Sequence, residues 1–131
     1  MSFKCIVVTP EAQVLDETVT QAIVPAHDGL LGVLTDRAPL MVKLGVGPLR
    51  VDLPDGQRRH FFIDAGVAQV KDNKLTILTK EAAPASEIDA EAARAEYNEA
   101  LARRPTDEKS FEDRQIQMAR GRTRQRLAGQ K

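Results

Sequence analysis

Tryptophan is absent from this 131-residue chain, aromatics make up only 4% of it, and it carries one cysteine and two histidines. Serine occurs only at positions 2, 86 and 110. Each shortage excludes a class of chemistry. One cysteine and two histidines cannot build a metal cluster of recognisable spacing, so no metal site is expected. Ser86 and Ser110 fall at predicted helix starts, where capping is their ordinary role, and Ser2 at the chain start, so no Ser-His-Asp arrangement is available. His27 lies in a predicted turn and His60 in a strand, and both read as structural or contact residues, since a catalytic histidine needs partners in hydrogen-bond reach. No G-x-x-x-x-G-K-[ST] loop is present, and Gly29-Leu30-Leu31-Gly32 reads as a strand-edge turn rather than a phosphate cradle. No catalytic residue is therefore expected.

No run approaches the ~18 apolar residues a membrane helix requires. The start, Met1-Ser2-Phe3-Lys4-Cys5-Ile6-Val7-Val8, enters a strand pattern at once, so neither a signal nor a transit peptide is expected. Cys5 sits inside that apolar run, forms no intrachain disulfide for want of a partner, and reads as a small buried hydrophobe in a reducing compartment.

What the chain does have is a change of character at Ala82-Ala83-Pro84-Ala85. Before it, β-branched and polar residues alternate between Gly, Pro and Asp turns; after it, Ala, Glu and Arg dominate, broken once at Arg104-Pro105-Thr106. The boundaries predicted are a β-sandwich domain over residues 1–84 and a C-terminal helical hairpin over 85–131. Residues 81–102 hold six acids and one base, residues 103–131 nine bases and four acids, and the β region nine of each, so a net charge of zero conceals a polarised tail.

Phe3 to Thr9, Val14 to Asp16, Thr18 to Ala26, Gly29 to Leu34, Pro39 to Val42, Leu49 to Leu53, Arg58 to Ala65 and Leu75 to Thr79 read as strands. Gly45-Val46-Gly47-Pro48, Pro54-Asp55-Gly56 and Lys71-Asp72-Asn73-Lys74 read as turns, and Gly66 as a break or bulge. About nine or ten short strands in so short a stretch predict two packed sheets, since a single sheet would leave a wet face and long open edges. In the tail, Ser86-Glu87-Ile88-Asp89 reads as a capping box opening a helix at about 87–103, with a second at about 107–127. The expected seam sets alanines, Tyr97 and Leu101 against Ile116 and Met118, with Glu91, Glu96 and Glu99 available to screen the arginines of the second helix. Gly121 costs that helix about 1 kcal/mol of propensity relative to Ala.

Four segments, in order and at these distances, carry a resemblance: Gly29-Leu30-Leu31-Gly32-Val33-Leu34, Arg37-Ala38-Pro39-Leu40, Phe62-Ile63-Asp64-Ala65-Gly66-Val67-Ala68-Gln69-Val70, and Leu75-Thr76-Ile77-Leu78 before Glu81-Ala82. Together with the two closing helices they resemble the epsilon subunit of F-type ATP synthases along the whole chain. The resemblance implies a non-catalytic central-stalk subunit whose sandwich packs on the gamma subunit and bears on the ring of c subunits. It implies helices that pass from a compact hairpin to an extended form reaching the catalytic alpha and beta subunits and inhibiting ATP hydrolysis. The stalk contacts so implied are His27, Asp28, Gly29, Leu30, Leu31 and Arg37, the last standing where the family commonly has His. The inhibitory arginines are Arg114, Arg120, Arg122, Arg124 and Arg126. Some bacterial members bind ATP through I/L-D-x-x-R-A; here Ile88-Asp89-Ala90-Glu91-Ala92-Ala93 has Ala92 in place of the Arg. Losing a charge-assisted bond of about 1.5 to 3 kcal/mol leaves Ile88, Asp89, Ala93, Arg122 and Arg126 as weak nucleotide candidates, and no other cofactor is expected. The implied location is peripheral, on the cytoplasmic face of a bacterial cell membrane or the stromal side of a plastid thylakoid. The alternative reading is a nucleic-acid-binding module using the basic second helix on phosphates. Zero net charge and five scattered aromatics argue against it, and no nucleic-acid partner is expected.

Overall fold

The computed structural model describes residues 2–128. Among them are eight strands, β1 (Phe3–Val8), β2 (Gln13–Val19), β3 (Gln21–Ala26), β4 (Gly29–Leu34), β5 (Leu40–Asp52), β6 (Arg58–Lys71), β7 (Lys74–Leu78) and β8 (Ala82–Pro84). A 3-10 turn, Ala85–Glu87, leads into helices α1 (Ala90–Ala102) and α2 (Glu108–Ala128). The strands hydrogen-bond in the order β2-β1-β7-β6-β5-β3-β4, with β8 also on β6. Only β1 and β7 pair in parallel; every other pairing is antiparallel.

The sandwich arises because β5 and β6 are long enough to serve both layers. At 13 and 14 residues they span roughly 45 Å at about 3.3 Å per residue. One end of β6, Val67 to Lys71, pairs with β7, while Phe61 to Ile63 pair with β8. The sheet thus turns over on itself around one core, in which Phe3, Cys5 and Val7 of β1 join Val24 of β3, Val33 of β4 and Leu49 and Val51 of β5. Burial pushes the Cys5 thiol up to about 12, as a charged sulfur has no solvation there.

Two expected hairpin turns form as their residues dictate. Gly56 takes φ +90° while the Leu53 and Gln57 backbones bond across it, and Asp72 and Asn73 both take positive φ. The strand count is lower than expected because Gly45-Val46-Gly47-Pro48 is not a turn but the middle of β5. A Cβ on Gly47 would stand 2.6 Å from the Pro25 Cβ, so this glycine permits a close strand approach. β3–β5 pairing is interrupted between Ile23 and Ala26, so the prolines forfeit no ladder bond there. Gly66, at φ +125°, kinks β6 without shifting its register. Its missing side chain makes room for the Leu78 carbonyl oxygen, which a Cβ would meet at 2.0 Å.

The tail also starts differently from the expectation. Ser86 lies in the 3-10 turn and caps nothing; Asp89 caps α1, its carboxylate accepting the Glu91 and Ala92 N–H groups at 2.9 and 3.3 Å. Asp107 does the same for α2, accepting both the N–H and the hydroxyl of Ser110 at 2.7 Å, which holds its carboxyl below the ordinary range. Of the expected seam the alanines and Tyr97 do meet α2, with Ala93, Ala100 and Gly121 buried at the crossing, whereas Leu101 and Ile116 stay largely exposed, as does Phe111. A Cβ on Gly121 would lie 2.8 Å from the Tyr97 nitrogen, so the glycine is what lets the helices close.

Candidate functional site

The hairpin lies on the sandwich rather than beside it. Phe62 of β6, Ala85, Ile88 and Leu127 of α2 form a second buried cluster, with Val46, Ala83 and Ala128 around it. Four successive residues of β6, Phe61 to Asp64, are buried. A strand buried on both faces is covered on both, and the outer cover here is the tail.

Guanidiniums bind the rest of this contact. The Arg120 Nη2 lies 3.0 Å from the Asp64 carboxylate, which is itself 9% exposed. Arg124 donates to Glu96 of α1 at 2.6 Å and to both Glu81 oxygens at 2.9 Å, with its guanidinium 4.3 Å from the Phe62 ring centre. Asp64 is held by its backbone: its N–H donates to the Glu81 carbonyl, and the Thr79 hydroxyl donates to the carbonyls of both residues at 3.2 Å. Arg114 donates from Nε to the Ala100 carbonyl and from Nη2 to that of Leu101, satisfying the last turn of α1. Arg122 stacks over Tyr97 at 5.6 Å. Of the three glutamates expected to screen these arginines, Glu96 alone forms an ion pair among the described residues.

The five nucleotide candidates do not share a cavity here. Ile88 is buried in the second cluster, Asp89 is engaged as a cap, Ala93 is buried at the helix crossing and Arg122 faces Tyr97. Arg126 lines a depression of about 340 Å³ with Arg50, Arg58, His60, Leu30 and Leu127. His60 is held below its ordinary value there, first by burial and then by Arg50 and Arg58, while Arg50 pulls Asp52 down through a hydrogen bond.

The stalk-contact candidates do converge. Asp28, Gly29, Leu30, Leu31 and Arg37 line one depression of about 410 Å³ at the β3–β4 end, and His27 beside it is exposed, its Nδ1 3.3 Å from the Lys43 carbonyl. Leu30, on the rim of this depression, is 66% exposed, and Leu34 and Met41 are exposed elsewhere on β4 and β5. Sequence reasoning passed over Leu34 and Met41, and it passed over Asp64, Glu81 and Phe62 as the tail's dock. The run Phe61-Phe62-Ile63, apolar on both strand faces, was the available signal. Among the described residues no group of three or more His, Cys, Asp or Glu could hold a metal ion, and no helix is long and apolar enough to cross a membrane.

The profile of the ATP synthase delta/epsilon chain β-sandwich domain matches residues 2–85, the stretch that forms the eight strands. The chain belongs to the ATP synthase epsilon chain family. The epsilon chain of Rhodopirellula baltica is 37% identical over 126 residues, covering 95% of this chain and 98% of its own, so the likeness takes in the tail. The chloroplastic epsilon chain of Emiliania huxleyi is 40% identical over 95 residues, 72% of each chain. Among solved structures, a chain of the Euglena gracilis mitochondrial ATP synthase, resolved with its F1 part and c-ring, is similar at a TM-score of 0.86 and 25% identity, over 99% of this chain and 82% of that one. Family membership leaves the nucleic-acid alternative without support.

Proposed function

We propose that this epsilon-chain relative works as a non-catalytic central-stalk subunit of a rotary F-type ATP synthase, and that its helical tail is a movable inhibitor of ATP hydrolysis. The observation that carries the reading is the way the tail is attached. The main buried cluster includes no residue of the helices, and the tail meets the sandwich through a four-residue apolar cluster around Phe62 and two arginine ion pairs. An arm so held can leave without unfolding the domain that carries it. In this reading the depression lined by Asp28, Gly29, Leu30, Leu31 and Arg37 is the surface offered to the gamma subunit and the c-ring, and the arginines of α2 are offered to the alpha and beta subunits. The subunit is then peripheral, on the cytoplasmic face of a bacterial membrane or its stromal counterpart.

ATP binds weakly or not at all in this reading. Besides lacking a guanidinium at Ala92, the chain spends Ile88 on packing in the second cluster and Asp89 on capping. The chain is expected to show no turnover of its own, because among the described residues no group is placed to activate a nucleophile or to hold a metal against a γ-phosphate. Co-purification tests the assignment: a tagged chain expressed in its own cells is expected to bring down a membrane ATPase containing gamma and c subunits. Recovery of the tagged chain free of any ATPase, or ATP turnover that stays with the chain through further purification, would overturn it.

A further inference from the structure

The arginines of α2 divide by what they touch. Arg122 stays within the hairpin, on Tyr97, and Arg126 faces the like charges of Arg50 and Arg58. Only Arg120 and Arg124 reach the body of the sandwich through carboxylates, at Asp64 and Glu81. They lie four residues apart, on one face of the helix. We propose that Arg120 and Arg124 are the two catches of an electrostatic latch, with Asp64 and Glu81 as its fixed side, and that this latch sets how often the tail leaves the sandwich.

The first catch is the deeper one. Asp64 is 6% exposed, and its backbone is pinned by Thr79 and Glu81, so a carboxylate is held in place beneath the helix. Arg120 brings the compensating charge, yet its Nε is buried and without a partner among the described residues. The pair is satisfied on one side only. Removing Arg120 leaves the buried Asp64 carboxylate uncompensated, whereas the Arg120 guanidinium is about a third exposed and loses less when Asp64 is removed; the cost is escaped when α2 lifts and both groups return to water. The second catch couples three elements, since Arg124 binds Glu96 on α1, Glu81 after β7 and the Phe62 ring on β6. It holds the tail down only while the hairpin itself is folded.

This deepens the reading of the tail as a movable arm, but its test uses the isolated full-length chain, so its failure and that of the assembly reading are separable. Spin labels on Gln69→Cys and Gln125→Cys, both exposed positions, report the distance between sandwich and α2 by pulsed electron resonance. Cys5 does not compete for the label, because its thiol is buried with its pKa near 12. The otherwise unaltered chain is expected to give one narrow distance, that of the closed tail. Arg120→Gln is expected to raise the long-distance population by about tenfold or more, as a buried carboxylate does when it loses its partner, and Asp64→Asn to raise it by less, since the Arg120 it leaves is partly in water. Arg124→Gln is expected to open the tail as well, and Arg122→Gln to leave it closed. The joint variant Asp64→Val with Arg120→Met is expected to close it again, because both polar partners are then gone together. Amide exchange of β1 and β7 in the same samples confirms that the sandwich is intact. Single variants that leave the distances unchanged, or a joint variant as open as the singles, would overturn the latch.

Discussion

Gly121 is where one missing side chain decides whether two helices meet. In an isolated helix, Gly to Ala is worth about 1 kcal/mol in favour of Ala. Here an added Cβ would meet the Tyr97 nitrogen, Cβ and Cα at 2.8 to 3.0 Å, two of them backbone atoms that cannot swing aside. Overpacking of that kind costs about 1 to 3 kcal/mol, so the clash outweighs the propensity gain. Gly121→Ala is therefore expected to speed amide exchange in both helices by several-fold while leaving β1 and β7 protected. Slower exchange in α2 would show that intrinsic helix preference governs the tail and that the close crossing does not hold it. Arg124 teaches a related lesson: a guanidinium excluded from an apolar core packs over Phe62 because Glu81 and Glu96 carry its charge.

At the scale of elements, the sandwich holds its own core, the helices meet over Ala93, Ala100 and Gly121, and a small second cluster joins the two. The main cluster draws only on the strands, so residues 1–84 are expected to fold without the tail. Phe62, fully buried in the whole chain, then loses Leu127 and Ile88 as cover. Losing the burial of one such side chain lowers stability by about 1.5 to 3 kcal/mol. The fragment is expected to keep a well-dispersed proton NMR spectrum and to melt earlier than the full chain; a collapsed, broad spectrum would mean that the helices belong to the sandwich core. The legibility of these elements followed the range of the forces that shape them. Pro54-Asp55-Gly56 and Asp72-Asn73 were readable because their turns depend on their own backbones. Gly47-Pro48 was misread because the reason for that glycine, Pro25, lies across the sheet. Ser86 was misread for a subtler cause: two residues within three positions could cap, and the 3-10 turn moved the helix start to Asp89.

Over the whole molecule, the polarised tail was plain in the sequence, and so was its composition of two helices. Its dock was not, since Asp64 and Glu81 read as ordinary strand and loop acids until the fold brought α2 across them. The β3–β4 end was half legible: Leu30 and Leu31 stood out through a family pattern, whereas the exposure of Leu34 and Met41 becomes readable only once the strand faces are assigned. The arm is proposed to regulate and the sandwich to carry it, on the strength of a main buried cluster that includes no tail residue, a small tail contact and membership in the epsilon chain family. The most direct test is the rate of ATP hydrolysis by the reconstituted ATP synthase with the full chain and with the chain ending at residue 85. The truncated subunit is expected to assemble, to support synthesis nearly unchanged, and to raise hydrolysis well above the rate with the tail present. An assembled complex whose hydrolysis is the same with and without the tail would contradict the account.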